Sequence, residues 1–148
     1  MKKIKINSSL CVGCGRCEVF CTANHSASRD IYKAYTLEGL RGTNRIHLLE
    51  GNDGYAVQCR QCKHTPCVFA CISGSMHVDP SSGAVINDTK KCVGCWSCIA
   101  ACPNGCVFPH HEKDGTKYAL KCDLCLSADG EPACVKACPN GALTLVEV

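Results

Sequence analysis

The sequence predicts an α+β chain of short helices, short strands and hairpins, arranged as two similar domains. Three observations predict it. Cysteine recurs in four runs of four along the 148 residues. A gapless unit, a helical turn followed by a glycine and the start of a strand, closes three of those runs. Apolar and polar residues alternate at both ends of the chain, the pattern of half-buried strands.

The elements follow in order. Residues 2–10 alternate Lys and Ile before Leu10, which predicts a short edge strand. The first run is Cys11-Val-Gly-Cys14-Gly-Arg-Cys17-Glu-Val-Phe-Cys21. Gly13 and Gly15 let the backbone approach a bound group, and a short helix is expected over 17–25. Residues 22–58 are the least cysteine-like stretch. In it, Arg29–Tyr32 and Tyr35–Leu40 are weakly amphipathic, Arg45–Glu50 fits a strand or a short helix, and Gly51–Gly54 signals a turn. Tyr55–Gln58 then leads as a strand into the second run, Cys59-Arg-Gln-Cys62-Lys-His-Thr-Pro-Cys67-Val-Phe-Ala-Cys71. Residues 76–87 carry two alternating segments around a Pro/Gly turn and predict a hairpin.

The third run is Cys92-Val-Gly-Cys95-Trp-Ser-Cys98-Ile-Ala-Ala-Cys102-Pro103. Val107–His111 and Thr116–Leu120 predict a second hairpin behind it. The fourth run is Cys122-Asp-Leu-Cys125, an inserted loop at Ser127–Glu131, then Cys134-Val-Lys-Ala-Cys138-Pro139. Residues 142–148 close the chain as an alternating strand. The repeat aligns Cys67–Met76, Cys98–Val107 and Cys134–Leu143 without gaps.

The spacing identifies the chemistry. Three cysteines two residues apart, then a fourth after three more and a proline, form the run that bacterial ferredoxins use for [4Fe–4S] clusters. Cys92, Cys95 and Cys98 can each bind a different iron of one cubane. In two-cluster ferredoxins the fourth cysteine, here Cys102, ligates the neighbouring cluster. One run therefore calls for another, and four runs make two ferredoxin-like domains holding four [4Fe–4S] clusters. Zinc sites favour two CxxC pairs separated by a longer loop and match these runs less well.

Composition agrees. Seventeen cysteines exceed the level that marks a disulfide scaffold or a metal-rich fold. Residues 1–10 lack the apolar stretch of a secretory signal, so a cytoplasmic, reducing location is expected, where dense cysteine means metal. No apolar run reaches the length of a membrane span. Aromatic residues make up only 5% of the chain, so clusters would supply much of the cohesion. The formal charge is +3, but four oxidised thiolate-bound clusters, each about −2, would make the holoprotein acidic. No basic patch with interleaved aromatics indicates nucleic acid.

Several residues have simpler explanations beside functional ones. Cys106, the seventeenth cysteine, stands in the repeat where Ser75 and Ala142 stand, and is expected to be a small buried side chain. The histidines are not needed as ligands, since every run has four cysteines; His110 and His111 are expected in a solvated turn. Trp96 is expected to shield a cluster from water. Lys90, Lys91 and Lys121 are expected at the surface, offsetting cluster charge. No nucleophile–base pair, nucleotide-binding loop or radical-SAM cysteine pattern is present, so the chain is not expected to be an enzyme.

Taken in order, the four runs resemble the four-cluster electron-transfer subunits of the dimethyl-sulfoxide-reductase type. The likeness is strongest from Tyr55 to Leu143, in Cys59-Arg-Gln-Cys62…Thr-Pro-Cys67-Val, Lys91-Cys-Val-Gly-Cys-Trp96 and Lys121-Cys-Asp-Leu-Cys125…Pro132-Ala-Cys-Val135. The Cys-Val-Gly-Cys-Trp form and the compact length look most like the ferredoxin-like partner of carbon monoxide dehydrogenase. The resemblance implies a crossed ligand set. Cys11, Cys14, Cys17 and Cys138 would hold one cluster, and Cys122, Cys125, Cys134 and Cys21 its neighbour. Cys59, Cys62, Cys67 and Cys102 would pair with Cys92, Cys95, Cys98 and Cys71. The domains are then interlocked: residues 1–21 with 122–148 form the outer one, 55–121 the inner one, and 22–54 an insert that contacts a partner.

The implied function is relay of single electrons between a catalytic oxidoreductase subunit, carbon monoxide dehydrogenase by closest likeness, and a second redox protein, within a hetero-oligomer. The equivalent subunit of a tungsten or molybdenum aldehyde or formate oxidoreductase, or of a hydrogenase complex, is the alternative. An iron–sulfur redox sensor is the alternative of another class.

Overall fold

The computed structural model describes residues 2–49, 55–127 and 130–147. It is a small mixed α and β chain made of four separate two-stranded antiparallel sheets and five short helices among the described residues. Neither kind of element is stable alone. The helices are 4–9 residues long, below the length at which a helix holds in water, and an isolated strand pair is marginal at best. The fold must be held by what lies between them.

The chain opens with β1, Lys2–Ile6, whose alternation buries Ile4. β1 pairs antiparallel with the last strand, β8 (Leu143–Glu147), in the register Ile4 to Leu145 and Ile6 to Leu143. The strand ends sooner than its apolar pattern: Ser8–Leu10 is a 3-10 turn capped by the Asn7 side chain, which accepts from the Ser9 amide at 3.2 Å. Helix α1 spans Arg16–Asn24, and α2 spans Ile31–Thr36 behind the N-cap Asp30, whose carboxylate accepts from Lys33 N at 2.9 Å.

Of the two options open for residues 45–50, the structure shows a strand. β2, Ile46–Leu49, pairs with β3, Tyr55–Gln58. The Gly51–Gly54 turn signal between them lies outside the described residues, as do Ala128 and Asp129 of the loop in the fourth run. Helix α3 (Pro66–Phe69) leads to the hairpin of β4 (Met76–Val78) and β5 (Val85–Asn87). Helix α4 (Ser97–Ala101) leads to that of β6 (Val107–His111) and β7 (Lys117–Lys121). Helix α5 (Ala133–Ala137) precedes β8. Both expected hairpins are present. His110 and His111 are the last residues of β6 rather than turn residues, and the ring of His110 packs on Tyr118 across the hairpin at 4.9 Å.

Helix α1 packs on α5 and α3 on α4, so the first run meets the fourth and the second meets the third. Two buried clusters result. One gathers Ile4, Cys17, Cys21, Ile46, Ala56, Cys59, Ala84, Cys106, Cys122, Leu124, Cys134 and Leu143; the other is Cys67, Met76, Val85, Cys98, Val107 and Ala119. Cysteine makes up half of the first cluster, so thiols stand where an ordinary domain would place leucine and phenylalanine. Residues 22–49 belong partly to this core, since Ala34 and Ile46 are buried, while Tyr32 and Leu37 face solvent. Among the described residues, no helix is long and apolar enough to cross a membrane.

Candidate iron–sulfur sites

Local backbone geometry shapes each cysteine run. The third residue of the first CxxC pair in each run is left-handed: Gly13 (φ 65°), Gln61 (φ 47°), Gly94 (φ 65°) and Leu124 (φ 59°). The residues before α1, α3 and α4, namely Gly15, Thr65 and Trp96, are left-handed as well. Such kinks turn successive backbone N–H groups into one concavity, which suits a bound anion. Glycine carries no penalty there, whereas Gln61 and Leu124 each cost about 1–2 kcal/mol and persist only because their surroundings fix them. Gly94 has a second reason: a Cβ would lie 2.7 Å from Lys117 Cβ on β7. At Gly15 nothing lies within 4 Å of that position, so conformation alone requires glycine.

Two cavities are each lined by four run cysteines, three from one run and the fourth from another. Cys11, Cys14, Cys17 and Cys138 line one cavity with Leu10, Val12 and Pro139. Cys59, Cys62, Cys67 and Cys102 line another with Pro103 and Val107. Cys71 joins Cys92, Cys95 and Cys98, whose charges act on one another. Cys134 is acted on in the same way by Cys122, Cys21 and Cys125, and also by Cys17. Cys14 and Cys95 are exposed, whereas the third cysteine of every run, Cys17, Cys67, Cys98 and Cys134, is buried. Burial first, and the neighbouring thiols after it, pushes Cys98 up to about 11; burial, Glu18 and the neighbouring thiols push Cys17 up to about 12. All seventeen cysteines are free of disulfides.

These groups fit a polynuclear cluster better than a single ion. A tetrahedral zinc site with Zn–S bonds of about 2.3 Å needs sulfurs only about 3.8 Å apart. Among the described residues, the one trio of potential ligand atoms lying within 4.8 Å of one another is His25, Asp123 and Cys125. No three run cysteines come that close, so each quartet encloses more room than one ion fills.

The His25 trio is already satisfied by hydrogen bonds. His25 Nδ1 lies 2.8 Å from Cys21 O and Nε2 lies 3.0 Å from Asp123 Oδ1. Both partners only accept, so both ring nitrogens carry hydrogen and the ring is an imidazolium. Burial pulls its pKa down, but the bonds to Asp123 and Cys21 outweigh that and raise it to about 9. Arg45 also pairs with Asp123, and despite burial these two cations hold its carboxyl well below the usual range. Since the His25 pKa is raised in the folded state, its contribution is complete below about pH 6.5 and lost as pH rises through about 9, on the order of 3 kcal/mol. Thermal unfolding of wild type and His25→Gln under anaerobic conditions should therefore differ at pH ~6 and converge by pH ~10.

Donors to sulfur are unevenly distributed. Cys71 Sγ lies 3.3 Å from Ser75 Oγ, 3.3 Å from Met76 N and 3.7 Å from Ser73 Oγ. Burial raises this thiol, yet the three donors outweigh it and bring it down to about 7. Cys21 Sγ accepts from Arg45 N at 3.3 Å, and Cys102 Sγ from Cys106 N at 3.4 Å. Cys106 itself is buried, and its thiol donates to Asn104 O at 3.0 Å. Burial pushes it up to about 12, with Cys102 and Cys59 adding to the effect.

The structure corrects one lysine. Lys90 and Lys91 are exposed, and Lys91 pairs with Asp88 at 3.6 Å. Lys121, expected beside them in role, is only 3% exposed. As the last residue of β7 it ends an inward-facing run of Ala119 and Leu120, and Nζ donates to Val85 O and, at 2.8 Å, to Cys122 O. Trp96 is half-buried as the residue capping α4, with its ring 5.6 Å from that of His111. Gln61, Lys121, Arg45 and His25 were not legible as site residues in the sequence. The left-handed position between paired cysteines, glycine in two runs, was the one available signal for Gln61 and Leu124.

Comparison with known proteins agrees with this chemistry. Residues 54–148 match the 4Fe-4S dicluster domain family. The chain is 34% identical over 154 residues to "Electron transport protein HydN" of Escherichia coli (strain K12), covering 95% of this chain and 85% of that protein. It is 32% identical over 158 residues to an "Iron-sulfur protein" of Rhodospirillum rubrum, covering 98% and 82%. Among solved structures, a chain from "Active site complex BamBC of Benzoyl Coenzyme A reductase in complex with Benzoyl-CoA" matches at a TM-score of 0.49 and 23% identity, covering 99% of this chain and 79% of that one. The chain therefore belongs to the 4Fe-4S dicluster domain family and is an iron–sulfur electron-transfer protein rather than an enzyme.

Proposed function

We propose that this chain is a four-cluster wire, the electron-transfer subunit of an oxidoreductase complex. The observation that carries the reading is the pair of cavities each lined by three cysteines of one run and a fourth from another: Cys11, Cys14 and Cys17 with Cys138, and Cys59, Cys62 and Cys67 with Cys102. The first [4Fe–4S] cluster is held by Cys11, Cys14, Cys17 and Cys138, the second by Cys122, Cys125, Cys134 and Cys21. The third is held by Cys59, Cys62, Cys67 and Cys102, the fourth by Cys92, Cys95, Cys98 and Cys71. Residues 1–21 with 122–148 form the outer domain and residues 55–121 the inner one.

A bound cluster supplies one-electron chemistry at a potential set by its surroundings. The chain's own work is to fix the clusters, exclude water and aim donors at the sulfurs. Thiol protons must leave when iron enters, which the buried Cys17 and Cys98 resist and the hydrogen-bonded Cys71 favours. Donors to sulfur also favour the more negative, reduced state, so Ser75→Ala should lower the potential of the cluster that Cys71 enters. The expected loss is about 1 kcal/mol, the net worth of one hydrogen bond, read by an electron paramagnetic resonance (EPR)-monitored redox titration.

The catalytic partner proposed is carbon monoxide dehydrogenase, on the resemblance of Lys91–Trp96 and the compact length; an aldehyde or formate oxidoreductase or a hydrogenase is the alternative. The insert, through Tyr32 and Leu37 on its exposed side, is proposed to contact that subunit, with a second redox protein as acceptor in the cytoplasm. Iron and sulfide analysis after anaerobic purification tests the wire itself. About sixteen irons per chain are expected from four cubanes, and far fewer would overturn it. Anaerobic pull-down with identification of the bound subunit tests the partner.

A further inference from the structure

Lys121 sits at a junction that the four-cluster reading leaves unused. Its ammonium donates to the carbonyls of Val85 and Cys122. The Gln61 amide takes the same two residues from the other side: Nε2 donates to Cys122 O at 3.2 Å, and Oε1 accepts from Val85 N at 2.8 Å. Gln61 belongs to the second run and Cys122 to the fourth, so this junction joins the inner domain to the outer.

Among the described residues, Lys121 has no carboxylate partner within ion-pair distance. Burying an ammonium without a counter-charge costs several kcal/mol, and two carbonyl dipoles offset only part of that. The negative charge within reach belongs to the cysteine sites. Val85, whose carbonyl Lys121 holds, lines the cavity of Cys59, Cys62, Cys67 and Cys102, and Cys122, whose carbonyl it also holds, belongs to another quartet. These quartets, that of Cys59 and that of Cys122, lie in different domains.

We infer that Lys121 is the shared counter-charge of these two clusters, raising both potentials and so favouring passage of the electron across the domain boundary. The inference rests on the four-cluster reading. A fixed cation favours whichever state carries more negative charge, and a cluster gains one negative charge on reduction. Gln61 fixes the two carbonyls between which the cation is held, and is a positioning residue.

The test is an anaerobic EPR-monitored redox titration of holoprotein carrying Lys121→Met, beside wild type and Lys121→Arg. Methionine keeps an unbranched stem for packing and removes the charge. Two of the four potentials should fall, each by about tenfold in the redox equilibrium, ~59 mV for a one-electron couple, with iron content unchanged. Arginine should leave both close to wild type. If Lys121→Met does not load iron, Gln61→Glu decides, because it sets a carboxylate beside the ammonium without removing it, and the same two potentials should fall. Four unmoved potentials, or a shift shared equally by all four, would overturn the inference. A wild-type iron content well below about sixteen would instead overturn the four-cluster reading beneath it.

Discussion

Cys102→Ser is expected to cost the chain the cluster held by Cys59, Cys62 and Cys67, while the cluster of Cys92, Cys95 and Cys98, from its own run, survives. Cys102 is the C-cap of α4, with ψ 110°. That extended conformation turns the chain out of the helix and into the cavity of the second run, beside Pro103. The reciprocal variant, Cys71→Ser, should damage the cluster of the third run, because the Cys71 charge acts on Cys98. Iron content should drop by up to about four per chain, one cubane, or by one iron if the cluster persists with three. EPR of each reduced variant tells which signal is gone. Loss confined to the Cys92 cluster in Cys102→Ser would refute the crossing.

Stripping iron with an oxidant and a chelator should unfold the whole chain rather than leave a stable apoprotein. The isolated elements are too short to persist, and six of the twelve residues of the larger buried cluster are cysteines. With iron removed, those thiols leave gaps that the 5% of aromatic residues do not fill. Amide hydrogen exchange should therefore go from protected strands in the holoprotein to near-complete exchange, with loss of the far-ultraviolet circular dichroism signal. Refolding should require iron and sulfide together. Retention of native exchange protection in the stripped chain would show that the fold stands without its clusters.

The architecture was legible in the sequence where local pattern and chemistry coincide. The cysteine spacing located α1, α3, α4 and α5, and the alternation at residues 76–87 and 107–120 located two hairpins. The resemblance grouped residues 1–21 with 122–148, and β1 pairs with β8. What was hidden is what depends on distant partners. Arg45–Glu50 fitted two structures equally until Tyr55–Gln58 supplied a strand to pair with. Lys121 resembles its surface neighbours Lys90 and Lys91 in sequence, and only the Val85 and Cys122 carbonyls make it a buried donor. His25 was unremarkable in the chain because Asp123, its partner, lies 98 residues away.

Several large apolar side chains beside the cysteine runs are exposed. Phe69 is 85% exposed and Ile72 76%, on either side of Cys71, while Val12 is 66% exposed beside Cys11. Lone exposed apolar residues are ordinary, but these flank thiols from two different groups.

The pairing of β1 with β8 also sets an order of manufacture. The ribosome delivers Cys11, Cys14 and Cys17 well before Cys138, the fourth thiol of their cavity. Cys59, Cys62, Cys67 and Cys102, which line the other cavity, are all made by residue 102. During synthesis, which runs from the N-terminus, the middle of this chain can be loaded while its beginning still waits. The thiols of the Cys59 cavity are therefore complete before Cys138 closes that of Cys11, while Val107 and Ala119, which pack against Cys67, follow later.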